Sequence, residues 1–502
     1  MKLNSSLLQL ASCAVLLASD ACASTLDKRI LDPVCVQIAG AISSASDVYY
    51  LGHPNYSSDN NHWASSSSQV SKCSVQPGTA ADVGIILGIL GSTQTPFAVK
   101  GGGHASNQGF SSTTGIQISM KRFNQVTYDA GTQLVQFGSG LIWDDVYAAL
   151  APTGRNVVGG RVSGVGVAGF TLGGGYSWKT NQYGLTVDTV TAYELVKPDG
   201  TVATVTHASD PNLFFGLKGG FNNFGIVTKF TLKTFPQTQV WGGLITYTVD
   251  QISAVTAAAE AFSSTVTDPK ASMISAINYI SPLAILGPVG LGVSQLLFYD
   301  GPTPPPGIFD AFLSIPHFTK DVSTRSFLSL VQAAPANVAS GSRGTFQSSP
   351  LLAYSSSVLN AIVNETLFWG TRLSLKTGIL ISYDVEPFLP SILSHNNGLA
   401  SAYPASRSTA YLPLNLYFAW APGSSIFDQD FQDAIRASAA RITQVAKDEG
   451  QTGVDTAPIY PNYAISGTPL ARIYGSNVAA LQTLKQQVDP NNVMGLAGGW
   501  KV

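Results

Sequence analysis

Charge is what this 502-residue chain has least of: Asp, Glu, Lys and Arg make up 11% of it, against 45% apolar residues. Ser, Thr, Asn and Gln must therefore cover the surface, and a composition this apolar excludes a disordered chain. Set against 29 Asp and Glu, 27 Lys and Arg leave a net charge of −2. No basic field exists to hold a phosphate backbone, so nucleic acid is not an expected partner. Histidine is scarce too, at six residues. His53 and His62 lie near each other, but no third ligand stands at a recognised metal spacing, so no metal site is expected.

Long apolar runs are missing except at the start. Met1-Lys2-Leu3 leads into an apolar stretch through Leu17 and then Ala21-Cys22-Ala23, which has the form of a signal-peptidase site. Residues 1–23 read as a signal peptide and the mature protein as secreted, with Lys28-Arg29 a possible dibasic processing site. No later stretch offers about 20 uninterrupted apolar residues, so no membrane span is expected. Of four cysteines, Cys13 and Cys22 fall in the signal, leaving Cys35 and Cys73. An oxidising compartment joins this pair, closing a loop of about forty residues and stabilising the fold by roughly 3–4 kcal/mol. The alternative is two buried free thiols. Asn55-Tyr56-Ser57 and Asn364-Glu365-Thr366 fit the N-glycosylation sequon, in keeping with export.

What the chain does have is glycine, 49 residues of it, crowded between Cys73 and Thr234. There, short β-branched runs such as Gly115 to Met120, Leu134 to Phe137, Ala192 to Val196 and Gly225 to Leu232 alternate with helical patterns at Ala80 to Gly91 and Ile142 to Leu150. After Phe235-Pro236, apparent strands at Met273 to Ile280, Val293 to Tyr299, Gly378 to Val385 and Tyr411 to Trp420 predict a second, antiparallel sheet with helices on one face. The fold class is α+β, with a first domain over 30–236, a substrate-covering domain over 237–455, and a C-terminal segment over 456–502.

The strongest local signal is Pro96 to His104, an apolar strand running into Gly101-Gly102-Gly103-His104. Glycines let backbone approach a ligand closely and aim consecutive N–H groups at an anion such as a dinucleotide pyrophosphate. The loop ends on a nucleophile, because a neutral imidazole can attack the 8α-methyl position of an oxidised flavin. A histidine hydrogen-bonded at a tight turn is the alternative. A second run, Val158 to Gly175, can wrap backbone around a flat cofactor. It contains Gly164-x-Gly166-x-x-Gly169, the spacing of a nicotinamide-dinucleotide fingerprint. The run continues into another glycine triplet that would break the helix this fingerprint needs. Tyr183 to Asp188 and Gly219 to Thr228 follow in order, and the tail carries Tyr460-Pro461-Asn462-Tyr463.

With these motifs in this order, the chain resembles the vanillyl-alcohol-oxidase and p-cresol-methylhydroxylase superfamily, and within it the berberine-bridge-enzyme-like group of fungi and plants. The resemblance covers about Cys35 to the C-terminus. It implies a two-part FAD-binding domain, with FAD bonded covalently to His104 and its pyrophosphate on Gly101 to Gly103. It places Val165, Gly169, Thr171 and Gly174 along the flavin and Asp188 and Ile226 near the ribose and adenine. It also brings the segment with Tyr460 and Asn462 back to the cofactor. Many relatives add a cysteinyl link where this chain has Val162, so a single covalent bond is expected. At Val165, a small aliphatic residue is associated in relatives with oxygen access, implying an oxidase that gives hydrogen peroxide. Tyr460 is the candidate base, provided a positive or hydrogen-bonding group lowers its pKa; otherwise it is a core aromatic. Tyr176 is a candidate for the substrate pocket. So are Asn415 and Tyr417, two apart on one strand, facing either the pocket or solvent. The expected partners are a small-molecule alcohol or C–H substrate and dioxygen. The alternatives are a flavin dehydrogenase or oxidative cyclase, and a secreted glycoprotein that keeps the fold without the reaction.

Overall fold

The computed structural model describes residues 31–281, 290–334 and 339–502. The signal segment and Lys28-Arg29 lie outside them. The architecture is α+β. A four-stranded sheet in the order Asp47–Tyr49, Cys73–Gln76, Ile116–Ser119, Phe97–Lys100 has parallel inner pairings. Parallel neighbours need a crossover, which the helix Ala80–Thr93 supplies. Thr79 caps that helix by accepting from the Asp82 N–H, and Val83, Ile86, Leu87 and Leu90 bury its inner face. Cys35, on the helix Pro33–Ala41, is bonded to Cys73 across 38 residues, which removes the free-thiol alternative.

A five-stranded antiparallel sheet follows, in the order Val126–Asp129, Leu134–Gly138, Ile226–Lys233, Val190–Val196, Val202–Val205. The first glycine run lies between two strands of the four-stranded sheet and the second between two strands of the five-stranded sheet, and the two runs meet at Gly102 and Gly166.

The third sheet has seven antiparallel strands ordered Thr319–Arg325, Val240–Thr248, Leu291–Tyr299, Ala271–Ile280, Gly378–Val385, Leu412–Trp420, Arg343–Leu351. Alternation sorts its two faces. Leu412, Leu414, Leu416, Phe418 and Trp420 join the core under the helices Ile252–Thr265, Ser356–Ser374 and Asp428–Asp448. On the opposite face, Ile274, Leu296 and Phe298 join the core of the five-stranded sheet. Asn415 and Tyr417 lie on that inner face and are buried, so neither faces outer solvent.

The edge strand Arg343–Leu351 is covered by the first domain. Trp63 accepts from Gly341 N–H (2.9 Å), Ser65 N–H donates to Ser342 O (2.9 Å), and the Ser66 hydroxyl bonds both the carbonyl and the N–H of Gly344. The tail returns to the first domain. Ala497 bridges to Phe97, and Trp500 Nε1 donates to Pro461 O at 3.2 Å.

The sequence reading omitted the two longest helices, Ser356–Ser374 and Asp428–Asp448. The buried stripe of the second, Phe431, Ala434, Ile435, Ser438, Ala439, Ile442 and Ala446, recurs at helical spacing opposite a charged face, so its pattern was present in the sequence. It also omitted Arg343–Leu351, whose Ser348 and Ser349 are buried polar residues that read as surface.

Candidate functional site

The strand Phe97–Lys100 delivers the chain into Gly101, Gly102 and Gly103, where the two glycine runs touch. A Cβ on Gly102 would stand 2.5 Å from Gly166 Cα, and Gly103 has φ +73°, so neither position admits a side chain without displacement. Among the described residues, no acceptor takes the N–H of Gly102, Gly103 or His104. Lys100 is not the cation of this loop. Its Nζ donates to the Ser58 and Asn61 carbonyls at 2.7 and 2.5 Å, and burial lowers its pKa to about 8.

His104 lies flat on the Trp63 indole, with ring centroids 4.4 Å apart and 16° between planes. Trp63 is itself fixed, its backbone N–H donating to Gly103 O at 3.0 Å, and its ring meets Phe346 and Tyr417 of the substrate-side sheet. Burial pushes the His104 imidazolium pKa down to about 4, so the ring is neutral at physiological pH. Its Nε2 is buried with no hydrogen-bond partner among the described residues. Ser139 Oγ and Thr171 Oγ1 share that condition, and the Ser139 carbonyl is 3.0 Å from where a Gly101 Cβ would be. Buried polar atoms are paired in the great majority of native structures, so a cluster of unpaired ones marks the place of a polar ligand.

The second run lines the same region. Val162 and Val165 pack half-buried on the core of the five-stranded sheet. The side of Gly169 faces open space, and a Cβ on Gly174, at φ +114°, would meet Tyr403 at 3.0 Å and Tyr460 at 3.6 Å. Asn462 abuts Gly173; its amide donates to the Phe170 carbonyl (3.2 Å) and to the Tyr460 hydroxyl oxygen (2.8 Å). That oxygen also accepts the Gly175 N–H at 3.2 Å. Tyr176 stands edge-on to the Tyr460 ring at 4.7 Å.

Tyr460 required a group to lower its pKa, and Arg161 is the nearby cation that does so. Arg161 donates to Glu386 (2.7 Å) and to the Tyr463 hydroxyl (2.8 Å), and Tyr463 donates to Glu386 at 3.1 Å. Burial outweighs it in the ligand-free site: the Tyr460 pKa is raised to about 12, with Asn462 and Arg161 pulling the other way. Burial likewise raises Glu386 to about 7, against the pull of Arg161. The sequence reading missed Trp63, Arg161, Glu386 and Tyr403. Arg161 left a signal, since it is the one charged residue between Val158 and Gly175.

On the inner sheet face, Asn415 donates to Asp384 at 3.0 Å, which leaves its Oδ1 buried and unpartnered. Tyr417 packs on Phe346 at 4.5 Å, its hydroxyl also without a partner. Two expected cofactor residues have side chains held by other parts of the fold. Asp188 is committed to an ion triad, bidentate to Arg407 (2.7 and 3.0 Å) with Lys218 at 3.7 Å, and it also accepts the Leu185 N–H at 3.2 Å. The side chain of Ile226 is buried in the core around the disulfide. The carboxylate of Asp188 and the alkyl group of Ile226 are thus engaged within the fold, which leaves their backbone to face a cofactor. Asn364 is exposed and Asn55 half-exposed. Among the described residues there is no cluster of metal-ligating side chains and no helix long and apolar enough to cross a membrane.

Residues 71–206 match the family described as FAD binding domain. An uncharacterised FAD-linked oxidoreductase of Arthroderma benhamiae is 37% identical over 56% of this chain, and the chain spans about half of that relative's length, 56%. An FAD-dependent monooxygenase of Emericella nidulans is 29% identical over 86% of this chain and 90% of its own length. Among solved structures, the carbohydrate oxidase of Microdochium nivale superposes with a TM-score of 0.74 at 19% identity, covering 93% of this chain and 98% of that one. A berberine bridge enzyme variant gives 0.72 at 16%, over 93% and 98%.

Proposed function

We propose, for a chain that belongs to the FAD-linked oxidoreductases with the vanillyl-alcohol-oxidase and berberine-bridge-enzyme fold, that it is a secreted oxidase holding FAD by one covalent bond to His104. The observation that carries this reading is His104 itself: a neutral, part-buried imidazole whose Nε2 is buried and has no partner among the described residues. The site fits the cofactor. The free N–H groups of Gly102, Gly103 and His104 form a nest for the pyrophosphate. Thr171 and Ser139 offer hydroxyls without a partner among the described residues, Gly169 leaves open space beside the backbone, and Asn462 holds the returning segment against Gly173. Val162 supplies no sulfur, so a second, cysteinyl link is absent from the proposal.

FAD, when bound, supplies a two-electron acceptor for a hydride from an alcohol or C–H carbon and hands the electrons to dioxygen, giving hydrogen peroxide. The chain's part is to place the substrate and move a proton. Gly175 N–H and the Asn462 amide both aim at Tyr460 Oη, and Arg161 adds positive charge behind it. Those donors favour negative charge on that oxygen but burial outweighs them, so Tyr460 takes the substrate's proton only once bound substrate and cofactor lower its pKa further. Val165 is assigned to oxygen access. Export is supported by the Cys35–Cys73 bond, and Asn55 and Asn364 are the proposed glycan sites.

Acid-precipitated and washed protein tests the tether. Yellow colour retained in the pellet is expected from the wild type, and colour released to the supernatant from His104→Ala. A colourless wild-type pellet would sink the proposal. The relatives named FAD-dependent monooxygenases favour a second reading, in which oxygen enters the product. Peroxide formed in a one-to-one ratio with substrate oxidised separates the two.

A further inference from the structure

We propose that the cavity roofed by Tyr460 and the 403–413 segment takes a neutral, flat molecule of one or two aromatic rings with few hydroxyls, and rejects amines, acids and sugars. This rests on the oxidase reading and names its substrate class. The cavity measures about 210 Å³ and is walled by Tyr176, Tyr403, Tyr411, Tyr460, Leu393 and Ser348 together with prolines and small hydroxyl residues. That is below the roughly 300–1,000 Å³ of pockets for drug-sized ligands, which limits the occupant to one or two rings.

The chemistry of the wall decides the class. Not one Asp, Glu, Lys, Arg, His, Asn or Gln lines it. An ammonium, carboxylate or phosphate would enter without a counter-charge, and a desolvated unpaired charge is strongly disfavoured. The nearest cations are already spent: Arg161 on Glu386 and Arg407 on Asp188. Sugars are excluded for another reason. Burying many hydroxyls requires a partner for each, and the wall has no planar amide or carboxylate to provide them.

An aromatic ring, by contrast, meets ring edges and faces of the kind Tyr176 and Tyr460 already present to each other at 82°. One polar group deep in the wall is unspent. Ser348 is 3% exposed, its Oγ has no partner among the described residues, and it is in register with Asn415 across the inner sheet face. It suits a single substrate hydroxyl. Ser406, Ser408 and Thr409 are exposed and form the mouth.

The purified holoenzyme is titrated anaerobically with four probes of matched size, 4-hydroxybenzyl alcohol, 4-hydroxybenzoate, tyramine and glucose, following the visible difference spectrum of the flavin. 4-Hydroxybenzyl alcohol is expected to give a saturable change with a Kd at least tenfold below the other three. Ser348→Val is expected to raise that Kd at least fivefold. Thr409→Trp, an exposed substitution that does not burden folding, is expected to abolish the change while leaving the flavin spectrum itself intact. Glucose, tyramine or 4-hydroxybenzoate binding as tightly as the aryl alcohol overturns the proposal, as does no change with any probe in a protein whose washed pellet stays yellow. A colourless pellet is a different failure, that of the covalent reading.

Discussion

Trp63 offers the sharpest test of how the tether is made, because its side chain touches the anchor while its bond to Gly103 O comes from its backbone N–H and survives substitution. Its indole contacts His104 at 4.4 Å, Tyr417 at 5.3 Å and Phe346 at 5.9 Å. Aromatic pairs of this kind contribute about 0.5–1.5 kcal/mol each beyond area burial, so Trp63→Ala removes roughly 1.5–4.5 kcal/mol of packing. The share that orients His104 is one pair, about 0.5–1.5 kcal/mol, which corresponds to roughly a 2- to 13-fold loss of the productive imidazole orientation. Trp63→Ala is therefore expected to attach flavin several-fold more slowly than wild type, and Trp63→Phe, which keeps a stacking ring, to restore most of the rate. The assay follows the ratio of pellet to supernatant flavin after acid precipitation, sampled over hours of incubation with added FAD. A folded Trp63→Ala protein with the wild-type time course would refute the clamp.

Replacing both Cys35 and Cys73 with serine opens a 38-residue loop and is expected to cost about 4 kcal/mol on the loop-entropy model, read as a lower denaturation midpoint. Asp188→Asn leaves Lys218 and Arg407 without their shared carboxylate; breaking a buried pair costs about 3–5 kcal/mol, so a lower melting temperature is expected with the flavin still in the pellet. Glu386 is raised from 4.5 to about 7 on folding, so the folded state holds the extra proton between those values. Stability on its account is fullest below about pH 4.5 and falls as pH rises through 7, by up to about 3 kcal/mol; Glu386→Gln should flatten that part of the stability profile, and an unchanged slope would reject the assignment.

The class of protein was legible in the sequence for a physical reason. Binding a dinucleotide needs glycine wherever backbone must come close, and Gly102 against Gly166 and Gly103 at φ +73° are positions only glycine fills. Such constraints act through the chain itself, so they leave motifs: Gly101 to His104, the run to Gly175, and Tyr460 with Asn462. Four of the seven strands of the substrate-side sheet were legible through their apolar period, but Val240–Thr248, Thr319–Arg325 and Arg343–Leu351 were not, and the disulfide was legible through cysteine scarcity. What only the tertiary structure decided is whatever depends on contacts between distant segments. Trp63 meets His104 across 41 residues of chain, Arg161 meets Glu386 across 225, and the Asp188 carboxylate is engaged by Arg407, 219 residues on. No local pattern encodes a burial that raises Glu386 or silences the charge of His104, because desolvation is set by what the whole fold stacks around a group.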